Sequence, residues 1–179
     1  MFVLVTGGSG SGKSEYAEKM LCAMEDSRGD RYYIATMMPF GEEGAQRIKK
    51  HRKQREGRHF ETVECYRDLE TLALPGSGDA LLECMSNLLA NEMFGEEACQ
   101  EDACKKILLG VENLLRQCRH VVIVTNEVFS DGNLYDESTA EYIRLLGQIN
   151  QRLAQMADIV VEVVYSIPIY HKGKGIVKT

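Results

Sequence analysis

The chain has 179 residues, is 44% hydrophobic and 27% charged, and carries a net charge of −6 with a pI near 5.3. That length fits one domain with a sizeable core, and the acidic balance weighs against nucleic acid as the main partner, which asks for a basic excess. No run of about 18 apolar residues is present to span a membrane, and the opening residues lack the charged and apolar regions of a secretory leader.

Along the chain, Phe2 to Thr6 is a short apolar run that stops at glycine, as a buried strand does. Ser14 to Met24 reads as a helix with Tyr16, Ala17, Met20, Leu21 and Met24 on one face. Asp26 to Asp30 is a turn, and Arg31 to Thr36 a second strand. Glu42 to Gln54 is polar and helix-compatible, with Ala45 and Ile48 as its apolar anchors. Phe60 to Cys65 reads as a strand, Leu74 to Gly78 as a loop, and Asp79 to Cys84 as an apolar strand carrying an acid near its end. Helices follow over Met85 to Phe94 and Ala103 to Cys118, joined by an acidic loop from Gly95 to Asp102. Val121 to Thr125 is a buried strand, Ser138 to Met156 a long helix and Ile159 to Tyr165 a final strand before a short basic tail.

Strands alternating with helices predict an α/β fold with a mostly parallel sheet and helices on both faces. No repeat or second composition breaks the chain, so residues 1–179 are expected to form a single domain. The six cysteines are Cys22, Cys65, Cys84, Cys99, Cys104 and Cys118. None forms a C-x-x-C pair, which argues for reduced thiols in the cytoplasm rather than a zinc site.

Gly7-Gly8-Ser9-Gly10-Ser11-Gly12-Lys13-Ser14 fits G-x-x-x-x-G-K-[ST] without a mismatch, between a strand and a helix. Glycines let successive backbone N–H groups turn toward phosphate oxygens, and the helix N-terminus adds partial positive charge. Lys13 is expected to reach the terminal phosphates and Ser14 to ligate Mg²⁺. This makes the fold a P-loop NTPase type. Such a loop also needs an acid at the end of a neighbouring strand, and both Glu83 and Glu127 qualify.

Arg47 to Arg55 holds six basic residues around His51. It reads either as a solvated helix face or as an arm that brings an imidazole nucleophile to phosphorus, its ring kept neutral by the neighbouring cations. His59, His120 and His171 sit before a strand, at a strand start and in the tail, where a structural role is the simpler reading.

Together these segments resemble the bifunctional adenosylcobinamide kinase / adenosylcobinamide-phosphate guanylyltransferase family of cobalamin biosynthesis. The resemblance runs nearly end to end. It rests on LVTGGSGSGKS at Leu4 to Ser14, YIAT at Tyr33 to Thr36 and EEGAQRIKKHRKQR at Glu42 to Arg55. It continues with TVEC at Thr62 to Cys65, LLEC with NLL at Leu81 to Leu89, TNEV at Thr125 to Val128 and GQINQRLAQMAD at Gly147 to Asp158. The resemblance implies phosphorylation of adenosylcobinamide by ATP or GTP, then transfer of GMP from GTP through a guanylylated histidine. That histidine falls on His51. The implied nucleotide-binding positions are Gly7, Gly8, Ser9, Gly10, Ser11, Gly12, Lys13, Ser14, Ile34, Ala35, Thr36, Arg52, Lys53, Gln54, Arg55, Glu64 and Glu83. A ring-like homotrimer is implied as well.

The chain departs from the family pattern in four places. Phe129 to Leu134 replaces a Gly-x-Gly-apolar-Val-Pro segment, and Ile143-Arg144 replaces an Arg-Asp pair. Phe60 stands where tryptophan is usual, and Ser166 where glycine is usual. The nucleotide segments are intact, so a P-loop kinase without nucleotidyl transfer and a nucleotide-binding regulator stand as alternatives.

Overall fold

The structure is a computed structural model that describes residues 1–24, 29–39, 57–95, 100–129, 132 and 135–175. The helix expected over Glu42 to Gln54, most of the Asp26 to Asp30 turn, and Cys99 lie outside them. The strands are β1 (Phe2–Thr6), β2 (Arg31–Ala35), β3 (Phe60–Glu64), β4 (Asp79–Glu83), β5 (His120–Val124), β6 (Ile159–Val164) and β7 (Ile167–Lys172). The helices are α1 (Lys13–Cys22), α2 (Met85–Phe94), α3 (Gln100–Gln117) and α4 (Glu137–Met156), with a 3₁₀ turn at Leu69–Thr71.

The strands form a seven-stranded sheet in the order β3-β2-β4-β5-β1-β6-β7. Every neighbouring pair is parallel except the β6–β7 hairpin. Central β1 is buried on both faces, as parallel strands between helices are. Val3 and Val5 enter the core shared with α1 residues Ala17, Met20 and Leu21. Phe2 and Leu4 point into a larger core built with Leu88, Leu89, Ile107, Val111, Leu146 and Ile149 of the other helices. The strand period of two thus feeds two apolar layers at once.

Two expectations need correction. Residues 167–172 are not a basic tail but β7, the edge strand paired antiparallel with β6. Its turn, Tyr165-Ser166, has both residues in the left-handed region, φ 49° and 65°, without the glycine or asparagine that normally signals such a hairpin. Pro168 is tolerated because β7 is an edge strand. In addition, Gln100 to Asp102 is not loop but the first turn of α3.

Cys65, Cys84 and Cys118 are buried thiols, Cys22 and Cys104 half-buried, and all five described cysteines are free. Burial pushes Cys65 and Cys118 up to about 11. Among the described residues, no helix is long and apolar enough to cross a membrane.

Helix α4 begins at an N-cap aspartate: the Asp136 carboxylate accepts from the Thr139 amide at 3.0 Å and from the Ser138 and Thr139 hydroxyls at 2.6 and 2.8 Å. These bonds, with Ser138 first, hold the Asp136 carboxyl below the usual carboxylate range. A depressed folded-state pKa stabilises the fold above the unfolded pKa and is lost as pH falls through the folded one. We therefore expect Asp136→Ala to lower the melting temperature at pH 7, with the gap to the wild-type chain narrowing below pH ~4; calorimetry across pH tests this.

Candidate active site

The carboxyl ends of β1, β2, β4, β5 and β6 lie along one edge of the sheet, and the chain leaves β1 there to form the loop Gly7–Gly12. Such an edge is where open α/β sheets bind ligands. Gly12, at φ 90°, is the N-cap of α1 and supplies no side-chain cap, so the first amides of α1 are available to an anion. The Lys13 ammonium folds back over the loop and donates to the Gly8 carbonyl at 3.1 Å. Ser11 Oγ is buried with no hydrogen-bond partner among the described residues. That orphaned hydroxyl is what a phosphate-holding cradle leaves unpaired before its ligand arrives.

The loop is fastened on both flanks. The Glu127 amide, past β5, donates to the Gly7 carbonyl at 3.1 Å, and the Ser166 amide, past β6, donates to the Ser11 carbonyl at 2.8 Å. Beneath it, the Ser14 hydroxyl donates to Glu83 Oε1 at the end of β4. The other carboxylate oxygen, Oε2, accepts from the buried Tyr33 hydroxyl at 3.0 Å. Burial lowers the Lys13 pKa from its ordinary value, while Cys84 and Glu83 nearby work against that shift. A hydroxyl and a carboxylate oxygen side by side at the base of the loop are a donor set that suits a hard cation such as Mg²⁺.

Of the two candidate acids, Glu83 is therefore the one joined to the loop. Glu127 contributes its backbone amide to the loop, and its carboxylate accepts from the Phe129 amide at 2.9 Å. Strand register aligns Glu64, Ala35 and Glu83 in one row across β3, β2 and β4. Glu64 is exposed at the end of that row. Ile34 is fully buried in the core, so only its backbone faces this edge. The Thr36 hydroxyl donates to the Cys84 carbonyl at 2.9 Å and accepts from its amide at 2.7 Å, which ties β2 to β4 beside Glu83. His51, Arg52, Lys53, Gln54 and Arg55 lie outside the described residues. Arg58, just beyond that stretch, pairs with buried Glu18 of α1.

Sequence reasoning gave no site role to Tyr33, Ser86, Asn126 or Ser166, although Ser166 stands out there as a departure from the family's usual glycine. Ser86 Oγ lies 3.1 Å from Cys84 Sγ and accepts from the Asn126 side-chain amide at 2.6 Å, a polar link between the start of α2 and the segment after β5. Tyr33 is the first residue of the YIAT stretch, but nothing in the sequence told its hydroxyl from an ordinary core ring. On the α4 side, an apolar cavity of about 410 Å³ opens beside Thr6, lined by Leu4, Thr125, Phe129, Asn150 and Val160 among others.

The geometry separates the two acids experimentally. Glu83→Gln removes the charge but keeps the shape, and is expected to lower metal-dependent triphosphate turnover roughly ten- to a hundredfold. Glu127→Gln, whose parent carboxylate accepts from the Phe129 amide, is expected to lower turnover less than Glu83→Gln; steady-state rates with a Mg²⁺ titration compare them.

Residues 3–170 match the model of the cobinamide kinase / cobinamide phosphate guanyltransferase family. The chain is 35% identical to the bifunctional adenosylcobalamin biosynthesis protein CobU of Salmonella typhimurium, with 93% of this chain and 97% of the relative covered. The Escherichia coli protein of the same name is 32% identical over the same shares of the two chains. Among solved structures, the flagellar accessory protein FlaH of Methanocaldococcus jannaschii superposes with a TM-score of 0.51 at 12% identity. The superposition covers 97% of this chain and 78% of that one, a likeness of fold. With the phosphate loop in place, the family model matched over residues 3–170 and a relative 35% identical over nearly its whole length, the chain belongs to the cobinamide kinase / cobinamide phosphate guanyltransferase family.

Proposed function

We propose that this chain phosphorylates adenosylcobinamide and then converts the product to adenosylcobinamide-GDP, a step in cobalamin biosynthesis. The observation that carries the reading is the phosphate loop with Ser14 and Lys13 set against Glu83, inside a chain whose residues 3–170 match the family model.

In the kinase reaction the aminopropanol hydroxyl of the corrinoid attacks the terminal phosphorus of ATP or GTP, and the nucleoside diphosphate leaves. Gly7 to Gly12 present their amides to the phosphates, and Lys13 meets the charge that builds on the transferred group. Mg²⁺, held by Ser14 with Glu83, would neutralise charge between the phosphates. Tyr33 orients Glu83 through its second oxygen.

In the guanylyl reaction an imidazole nitrogen of His51 attacks the α-phosphorus of GTP, and pyrophosphate leaves. The cobinamide phosphate oxygen then attacks the phosphoramidate, and the histidine is released. This divides one hard transfer into two displacements. Arg52, Lys53, Gln54 and Arg55 supply the surrounding charge and hydrogen bonds. Ala35, Thr36 and Glu64, with the Ile34 backbone, bound the nucleotide on the β2–β3 side. A cytoplasmic location and assembly as a homotrimer belong to the same reading.

Intact-protein mass after incubation with GTP and Mg²⁺ tests the central step. We expect a GMP-sized gain that is labile to acid, stable to alkali and absent from His51→Ala. An adduct that persists in His51→Ala sinks the assignment of the nucleophile, and no adduct on a chain that binds GTP leaves a kinase alone. Lys13→Ala is expected to lose phosphoryl transfer from the triphosphate, followed by product formation on the corrinoid.

A further inference from the structure

The tip of the β6–β7 hairpin has no part in the reactions above, yet it is built onto the phosphate loop. The Ser166 amide donates to the Ser11 carbonyl at 2.8 Å. A Cβ added at Gly12 would lie 2.6 Å from Ser166 Oγ, so the tip and the loop are in direct contact. Both tip residues are non-glycine at positive φ, 49° for Tyr165 and 65° for Ser166, a conformation L side chains adopt at a cost. Ser166 has its role in this contact. Tyr165 does not: its side chain is 90% exposed, the most exposed of the large hydrophobic residues described. Hairpin stability does not explain a tyrosine at that position.

The direction of the bound phosphates supplies a role. Lys13 and the Ser14–Glu83 pair mark the end of the loop that takes the transferred phosphoryl group and the cation. Glu83 belongs to β4, which lies on the β5 side of β1, whereas β6 and its hairpin lie on the other side. A triphosphate laid along the loop with its terminal phosphoryl toward Glu83 sends its nucleoside away from β4, across β6. On that side, the most exposed large hydrophobic side chain of the β6–β7 hairpin is that of Tyr165, at its tip.

We propose that Tyr165 is the stacking platform for the base of the nucleoside triphosphate that serves the kinase reaction, an inference that rests on the phosphate-loop reading above. A phenol face attracts any purine through apolar contact and π-stacking without reading its hydrogen-bonding edge. The site then takes adenine and guanine nucleotides alike, with the loop providing affinity for the phosphates and the tyrosine affinity for the base.

Equilibrium binding to the full chain with Mg²⁺ tests this, using the β,γ-imido analogue of ATP and inorganic tripolyphosphate as probes. Tyr165→Ala is expected to weaken the imido analogue about tenfold and to leave tripolyphosphate affinity unchanged. Tyr165→Phe and Tyr165→Trp, which keep a stacking face, retain the analogue. Analogue affinity unchanged in Tyr165→Ala overturns the proposal, as does an equal loss for tripolyphosphate, which would place the tyrosine in support of the loop. A change in oligomeric mass by light scattering, with analogue affinity unchanged, also overturns it and makes the tip a contact between copies. A wild-type chain that binds neither probe overturns the phosphate-loop reading itself, a result distinct from failure of the tyrosine alone.

Discussion

Everything at the catalytic edge depends on one close fit of backbone against backbone at the end of β1. A Cβ at Gly7 would lie 2.5 Å from the Val163 carbonyl and 2.6 Å from Ser11 Oγ, and one at Gly12 would strike Ser166. The loop can lie down between its flanking strands only because nothing projects at these two points. Once down, it is tied to the residues after β5 and to the β6–β7 turn by backbone hydrogen bonds. Its amides are therefore oriented before a phosphate arrives, which is how a preorganised site avoids reorganisation during the reaction.

A second set of polar bonds holds the neighbouring strand ends. Thr36 and Cys84 exchange two hydrogen bonds between β2 and β4, and the Asn91 amide donates to the carbonyls of Thr36 and Tyr66 at 2.8 and 2.9 Å. The Tyr142 hydroxyl of α4 donates to the Ser86 carbonyl at 3.2 Å. These groups lie under helices where an unmade bond would carry a desolvation penalty, so their pairing narrows the choice of strand-end geometries. Glu83 sits directly before Cys84 in that frame. Its place beside Ser14 thus follows from bonds made by its neighbours as much as from its own.

Much of this was legible from residues alone. The unbroken G-x-x-x-x-G-K-[ST] spacing required a strand before it and a helix after it, and β1 and α1 stand there. The strands read as continuous apolar runs because both faces of the sheet are covered, and the division into two cores showed only in the structure. The hairpin did not show. Tyr165-Ser166 lacks turn chemistry, Pro168 looks like a breaker, and β7 is too exposed to carry an apolar pattern. The choice between Glu83 and Glu127 was equally closed to the sequence. Each ends an apolar run, and only strand order and the path of the loop decide which carboxylate meets Ser14.

The sequence by itself determined the phosphate loop, the alternation that builds a mostly parallel α/β sheet, and the family pattern, because these are local spacings enforced by backbone geometry and side-chain period. The tertiary structure alone decided that Glu83 lies under Ser14, that Tyr33 holds its second oxygen, and that a two-residue hairpin tip is seated on the loop. Each of these joins segments that are far apart in the chain. Such contacts are set by which strands become neighbours, and strand neighbourhood is a property of the packed sheet rather than of any stretch of residues.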